Sequence, residues 1–579
     1  MPKLDRSLLA TYLRPQWPRV LLLGLLLFAA IGLQLANPQI ARAFIDQAQA
    51  GEELDRLVRI AVLFLGAVAC AQAATVAETY VAEQLGWRTT NALRTDLVRH
   101  VLDLDGSFHA RYTPGELIER IDGDVSAIAG FFSRFVVSVV GSVVFLVGVL
   151  VLLFREDVRI GALLTAFAVV VFVFMTRGGG FVRSRARRAR EAASDLSGYL
   201  EERLGGLPDI KTSGADGHVM RGLHRVLGFW FRANRAAWGA SGLYSGVVGV
   251  VLAVGMGAAL ASSAALYTSG AMTLGTVYLV FRYTRMLRDP LEQLTRQMNS
   301  FQQATGGLVR VQELLAVTSR VTDGPGAPLD DGAHAVAFDR VWFAYADEPV
   351  LRDVSWRLEP GEVLGLLGRT GSGKTTMSRL LFRLYDPASG GVLLDGTDIR
   401  EARLDELRSR IGLVTQDVQL FDGTLRDNVT LFDASVPDAA LTEIFGHLGL
   451  DGWLRELPSG LDEYLGASGR GLSAGEAQLV AMARVFLRDP GLVVLDEASS
   501  RLDPATERLL EAAITRLLEG RTGIVIAHRL TTLERADAIL VLEAGSVAEF
   551  GPRTALAADA GSRYAQLLRA GELVLEELA

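Results

Sequence analysis

The sequence predicts a membrane α-helical domain of six long transmembrane helices, followed by an α/β P-loop domain with a helical subdomain. Three observations predict it. Apolar residues make up 50% of the 579 and the mean hydropathy is +0.28; they crowd into the first three hundred residues as runs near the ~20 residues that cross a bilayer. From about Val336 the pattern changes to short apolar strands alternating with amphipathic helices. Within that second half, Gly368-Arg-Thr-Gly-Ser-Gly-Lys-Thr-Thr376 fits G-x-x-x-x-G-K-[ST], between a strand-like run (Val363 to Leu367) and a helix-like one (Met377 to Leu384).

Residues 1–17 read as a short amphipathic segment on the inner membrane surface. The spans are expected at about 17–40, 57–82, 135–154, 160–176, 245–267 and 274–294. Basic residues ahead of the first apolar core also suit a signal peptide; the spans that follow favour a first span. Segments after the first, third and fifth spans are short, among them the turn Arg155-Glu-Asp-Val-Arg159. Those after the second and fourth run for about fifty to seventy residues and are arginine-rich, which puts them in the cytoplasm with both termini. Helical periodicity continues through Leu93, Leu97, Val101 and Leu104, so these segments read as extensions of the spans. The run Arg183-Ser-Arg-Ala-Arg-Arg-Ala-Arg190 reads as a solvated juxtamembrane face rather than a nucleic-acid site, and the net charge of −8 argues against nucleic acid as a partner. The single cysteine, Cys70, allows no intrachain disulfide and no cysteine metal site.

The sixth span carries Arg282, Arg285 and Arg288 at three-residue spacing. Arg282 lies ~12 Å in from the outer end at helical rise, and a charge within the membrane is a functional candidate. Two readings stay open. Arg282 lines a substrate cavity, with Arg285 nearby and Glu78 as counter-charge, favouring anionic or amphiphilic substrates; or the charges form an ion pair that orients helices, with snorkelling for Arg285 and Arg288. The membrane domain is expected over 1–306 and a linker over 307–335, marked by the turn-rich Thr322-Asp-Gly-Pro-Gly-Ala-Pro-Leu-Asp-Asp-Gly332. The α/β domain is expected over 336–579.

In the motif, Gly368, Gly371 and Gly373 let the backbone curl so that the N–H groups of Arg369, Thr370, Ser372 and their neighbours face a phosphate, and the following helix offers its positive end. Lys374 reaches the β- and γ-phosphates of ATP; the Thr375 hydroxyl holds Mg²⁺, with Thr376 following. Tyr345 closes a strand and either stacks on adenine or packs. Gln416 follows a strand directly, where an amide reaches Mg²⁺ or an attacking water. Leu492-Val-Val-Leu-Asp496-Glu497 is an apolar strand ending in two carboxylates, Asp496 for Mg²⁺ through water and Glu497 as general base. Gly523-Ile-Val-Ile-Ala-His528 is another strand ending in a histidine, read as a catalytic linchpin against the structural alternative. Leu472-Ser473-Ala474-Gly475-Glu476 precedes a helix whose N-terminus suits a phosphate.

Tyr345, the phosphate loop, Gln416, the Leu-Ser-x-Gly-Glu stretch, Asp496-Glu497, Ser500-Arg-Leu-Asp503 and His528 stand in the order seen in ABC transporter nucleotide-binding domains. They resemble the A-loop, Walker A, Q-loop, signature, Walker B, D-loop and H-loop. The stretch Phe108 to Asp124 is similar to the first intracellular loop of the exporter-type membrane domain, and Leu274-Gly-Thr with Asp289-Pro-Leu-Glu-Gln-Leu294 is similar to its sixth helix. The resemblance implies an ATP hydrolase coupled to transport, with ATP and Mg²⁺ as cofactors, in a bacterial plasma membrane. It implies a half-transporter whose signature, Ser473 to Glu476, acts on the partner's ATP. Short helices near Phe108–Arg111 and Leu207–Gly217 would carry domain closure to the spans.

Two departures matter. The family's Leu-Ser-Gly-Gly-Gln is here Leu-Ser-Ala-Gly-Glu, and its Val-Gly-Glu-Arg-Gly run is here Leu465-Gly-Ala-Ser-Gly-Arg470, without the acid. The partner is therefore expected to be a second, different half-transporter, with a homodimer as the alternative. Export or flipping of an amphiphile, lipid, drug or peptide is expected. An importer on the same fold and an ATP-gated regulatory subunit are the alternatives.

Overall fold

The computed structural model describes residues 11–130, 136–466, 472–496, 504–526 and 530–576. The chain divides into two compact units, Met1–Leu102 with Pro114–Val317, and Asp103–Thr113 with Thr318–Ala579. The division at Val317 falls inside the stretch read as a linker. Asp103–Thr113, expected within the membrane domain but with Phe108–Arg111 as a short helix carrying closure of the nucleotide-binding domain, belongs to the second unit.

The first unit is built from α1 (Trp17–Gln49), α2 (Leu54–Leu102), α3 (Val136–Glu156), α4 (Val158–Gly205), α5 (Asp216–Thr268), α6 (Leu274–Met286) and α7 (Arg288–Leu315). Among the described residues five helices are long and apolar enough to cross a membrane, with mean hydropathy of 2.0 to 2.9 over their apolar stretches. The segment expected as the sixth span is helical but divided at Leu287 between α6 and α7. It is not among those five, because the break leaves α6 only 13 residues long and the segment carries a run of charges (Arg282, Arg285, Arg288, Asp289). At helical rise the 49 residues of α2 reach ~74 Å, more than twice the ~30 Å hydrocarbon core. The turn at 155–159 is capped by Asp157, whose Oδ1 accepts the Arg159 N–H at 2.7 Å and starts α4.

A polar network ties α1, α3 and α6. Asp46 accepts the Gly275 N–H at 2.8 Å and the Thr273 hydroxyl at 3.0 Å, capping α6 from outside. Arg42 pairs with Glu156 at 2.6 Å. Further along, the Tyr283 hydroxyl donates to the Leu35 carbonyl at 2.8 Å. Large apolar side chains such as Leu65 and Val254 stand exposed, as a lipid-facing surface requires.

The second unit contains β1 (Val336–Tyr345), β2 (Glu348–Leu358), β3 (Val363–Leu367), β4 (Ser389–Leu394), β5 (Thr397–Asp398), β6 (Ile411–Val414), β7 (Gly423–Thr424), β8 (Tyr464–Leu465), β9 (Leu492–Asp496), β10 (Thr522–Ile526), β11 (Ala538–Glu543) and β12 (Ser546–Pro552). The order β2-β1-β4-β5 forms an antiparallel sheet. The order β12-β11-β3-β10-β9-β6 forms a sheet that is parallel except for β12. Its central strands read as unbroken apolar runs because both faces are covered. Val493 and Leu495 join one core with Phe445 and Met482, while Leu492 and Val494 join another with Trp356 and Met377. α8 (Lys374–Leu381) follows β3, and α9 (Ala474–Arg488) belongs to a helical group with Leu425–Thr430, Asp438–Leu448 and Asp451–Glu456.

The segment Asp103–Thr113 folds as the short helix Gly106–Arg111 against the second unit. Asp105 caps it, accepting the Ser107 N–H at 2.8 Å and, through its other oxygen, the Arg320 N–H. Burial pushes the Asp105 carboxyl up, but hydrogen bonds from the Ser107 hydroxyl and from backbone N–H groups outweigh this and hold it below its ordinary 3.8. A depressed carboxyl stabilises the folded state above its unfolded value, and that contribution is lost as pH falls through the lower folded value. Asp105→Ala should therefore speed amide exchange across Gly106–Arg111 by about tenfold at pH 7, the effect of losing a cap worth ~1.4 kcal/mol. The difference from the parent should shrink below pH 3.8. Hydrogen–deuterium exchange across that range measures both.

Candidate functional site

The phosphate loop leaves the buried end of β3. Gly368, Gly371 and Gly373 adopt φ of 153°, 83° and 109°. At Gly373, where the loop enters α8, a Cβ would also press on Leu351. This chain of positive φ values needs glycine and curls the loop into an anion-binding concavity. Lys374 Nζ folds back to donate to the Gly368 carbonyl at 2.6 Å and the Arg369 carbonyl at 3.2 Å. Ser372 donates its N–H to the Arg369 carbonyl at 3.0 Å, while its buried hydroxyl has no partner. A buried hydroxyl left unpaired is costly. Here it sits in a loop shaped for phosphate but is not among the side chains lining the cavity that opens on that loop, so a phosphate oxygen would satisfy it only with a local adjustment of the loop.

A cavity of about 500 Å³ opens on this loop. Tyr345, Thr370, Gly371, Gly373, Lys374, Thr375, Thr376, Gln416 and Asp496 line it together with Val350. Strand order explains the convergence. β6 and β9 are parallel neighbours, Val414 beside Leu495, so Gln416 and Asp496 leave the sheet at the same end. The chemistry fits a nucleoside triphosphate with Mg²⁺: an ammonium, hydroxyls and backbone donors for phosphate, a carboxylate and an amide oxygen for the metal. Tyr345 lines the cavity and also packs, edge-on to Phe343 at 4.8 Å and to Tyr385 at 5.3 Å. Its hydroxyl lies 3.3 Å from Thr376 Oγ1 and accepts from Arg379 at 3.1 Å. Glu497, Asp503 and His528 lie outside the described residues.

Ser473, Ala474, Gly475 and Glu476 are not among the residues lining this cavity. Ser473 caps α9, its Oγ accepting the Glu476 N–H at 3.3 Å, and Glu476 Oε2 accepts the Ser473 N–H at 2.7 Å. Trp453 Nε1 donates to Glu476 Oε1 at 2.9 Å.

Three residues escaped the sequence reading. Trp453 is one. Arg484 on α9 donates to the Asn428 carbonyl at 2.6 Å and the Gln419 carbonyl at 2.9 Å, tying the signature helix to the stretch after Gln416. Burial pushes its pKa down. A lone arginine in the otherwise apolar run from Leu479 to Leu487 was the available signal. Tyr385 is the third. Its ring touches Tyr345, and its hydroxyl donates to the Gly106 carbonyl at 2.9 Å. Gly106 returns its N–H to the Leu384 carbonyl at 3.0 Å, and a Cβ on Gly106 would sit 2.8 Å from the Tyr385 ring.

The first unit holds its own cavity of about 710 Å³. Glu78 and Arg282 both line it; Arg285 does not. The two charges share the cavity without forming an ion pair, so the helix-orienting pair expected as an alternative is not formed between them among the described residues. Three positions along a helix turn the side chain by about 60° from its starting face, enough to take Arg285 off the wall.

Residues 20–291 match the family model described as the ABC transporter transmembrane region, and residues 351–500 match the one described as ABC transporter. The chain is 31% identical to an ATP-dependent lipid A-core flippase of Thiobacillus denitrificans, over 96% of each chain. It is 32% identical to a fatty acid ABC transporter ATP-binding/permease protein of Mycobacterium bovis, over 83% of this chain and 76% of that one. Among solved structures, a bacterial Atm1-family ABC exporter with ATP bound superimposes with a TM-score of 0.76 at 26% identity, covering 96% of this chain and 98% of that one.

Ser372→Ala should separate the hydroxyl's two roles. Stability without nucleotide should hold or rise slightly, because an unpaired buried hydroxyl is removed. ATP affinity should fall about tenfold, the ~1.4 kcal/mol of one hydrogen bond to a charged group. Thermal melts with and without ATP, beside calorimetric titration, read the two effects apart.

Proposed function

The chain belongs to the ABC transporter family, and from that premise we propose that it exports or flips an amphiphile across the bacterial plasma membrane by alternating access. It couples ATP hydrolysis to transport, and as a half-transporter it acts in a dimer. The observation that carries the reading is the 500 Å³ cavity that gathers Lys374, Thr375, Gln416 and Asp496 in the same chain as the membrane helices. The lipid A-core and fatty acid named for the two relatives support an amphiphilic substrate.

The loop N–H groups, Lys374 and Ser372 bind and orient the triphosphate, and Tyr345 meets the base. Thr375, Gln416 and Asp496 would hold Mg²⁺, which supplies neutralisation of phosphate charge when bound. Glu497 acts as the general base on the attacking water, and His528 as the linchpin beside the γ-phosphate. Ser473, with the N-terminus of α9, faces the nucleotide of the second subunit, and Asp503 follows on the same subunit's D-loop. The nucleotide-binding unit and both termini are cytoplasmic, supported by the arginine-rich long segments.

The finer reading of the dimer is a heterodimer, supported by the Leu-Ser-Ala-Gly-Glu signature. A homodimer is the second reading, favoured by the bonds that Glu476 makes to Ser473 and Trp453 within its own chain. ATP hydrolysis by the purified chain alone in lipid, beside a Glu497→Gln control, decides between them. Robust turnover that the control abolishes is the homodimer's result. Well-folded protein that binds ATP without turnover is the heterodimer's result. Protein that neither binds nor hydrolyses ATP would sink the transport reading.

Closure of the nucleotide site reaches the membrane helices through Tyr345, Tyr385 and the Gly106–Arg111 helix. Tyr385→Phe keeps the ring contact and removes the hydrogen bond to Gly106. ATP affinity should stay within about twofold, while substrate moved per ATP hydrolysed should fall several-fold, a loss of ~1 kcal/mol of coupling. Paired transport and hydrolysis assays in proteoliposomes measure that ratio.

A further inference from the structure

Glu78 on α2 and Arg282 on α6 present opposite charges to the 710 Å³ membrane cavity, and neither forms an ion pair with a described residue. Charges on a low-dielectric wall are costly when unpaired. Two such charges of opposite sign in one cavity are complementary to a ligand that carries both signs. The volume lies in the range of small-molecule sites. Much of the remaining wall is apolar, with Leu27, Ile31, Phe64 and Phe145. Asn37 adds a buried side-chain oxygen that has no donor. Glu83 and Asp289 also line the cavity, so three acids face the one arginine and a purely anionic head group meets more repulsion than attraction.

We propose that this cavity selects a lipid-like amphiphile with a zwitterionic head group, its cation toward Glu78 and Asn37 and its anion toward Arg282. The inference rests on the exporter reading and deepens it by naming the substrate class. It departs from the anionic preference that Arg282 alone suggests.

The test uses the full chain in detergent and three probes with one fluorescent acyl chain: a lysophosphatidylethanolamine, a lysophosphatidylglycerol and an alkyltrimethylammonium. The zwitterion should bind at least about tenfold more tightly than either single-charge probe. Arg282→Gln should erase the advantage over the trimethylammonium probe, and Glu78→Gln the advantage over the glycerol probe. The double exchange Glu78→Arg with Arg282→Glu restores both signs and should recover the zwitterion preference, which also answers a folding defect in a single variant. Equal affinity for all three probes overturns the proposal, as does a uniform loss in both single variants that the exchange fails to recover. Tighter binding of an apolar tripeptide with free ends than of the lysophosphatidylethanolamine would overturn the lipid assignment. ATP hydrolysis in the same preparation keeps the two readings apart. Hydrolysis without head-group preference sinks this inference alone, and loss of ATP binding sinks the transporter reading.

Discussion

Inside a bilayer every backbone N–H and C=O must find its partner within its own segment, because no water is present to take its place. That constraint fixes the first half of the molecule. Each crossing is a helix. α2, α4 and α5 continue past the bilayer to 49, 48 and 53 residues, as the helical periodicity beyond the second span foretells. Such helices are stiff levers. α2 ends at Leu102, and the very next residues, Asp103–Thr113, belong to the nucleotide-binding unit. The link between transport and hydrolysis thus begins as a covalent one: a membrane helix whose continuation is built into the ATPase. Within the second unit, Gly106 packs so closely that a methyl group would not fit beside Tyr385.

The second half obeys a different constraint. A parallel sheet covered on both faces has its functional groups at the ends of its strands. β3, β9 and β6 each deliver a different piece to one cavity: the glycine loop, Asp496 and Gln416. Lys374 is held by carbonyls of its own loop, and Ser372 keeps a buried hydroxyl unspent. The glycine conformations are set for an anion before one arrives, whereas Lys374 must leave those carbonyls to reach a phosphate.

Much of this was legible in the sequence because it depends on local chemistry. Three glycines needing positive φ, one lysine and one threonine fix a loop within eight positions, and an apolar run ending in Asp496 marks a strand edge. What escaped depends on which strands and helices become neighbours. Nothing in the spacing told that Tyr385 would lie between Tyr345 and Gly106, or that Trp453 would reach Glu476 across 23 residues. Charge patterning was legible only in part. Arg282 and Glu78 were placed on one cavity, but Arg285, read as its companion, turned away. The sixth span's break at Leu287 and its many charges keep it from qualifying, although the same charges marked it as functional.

Glu476 shows how a departure from a family pattern acquires a local explanation. Read alone, a carboxylate where the family carries an amide brings negative charge to a phosphate-binding helix N-terminus, where it competes for the same dipole. In its setting it receives two donors, the Ser473 N–H on one oxygen and the Trp453 indole on the other. An ionised carboxylate accepts at both oxygens, whereas a glutamine in the same pose offers one oxygen and an NH₂ that cannot accept. With glutamine, one of the two donors would lose its partner or share one. Trp453 and Glu476 are thus chemically matched, and the acid is satisfied by its own chain. The altered signature is then as consistent with a local exchange of partners around α9 as with a site that has lost its function.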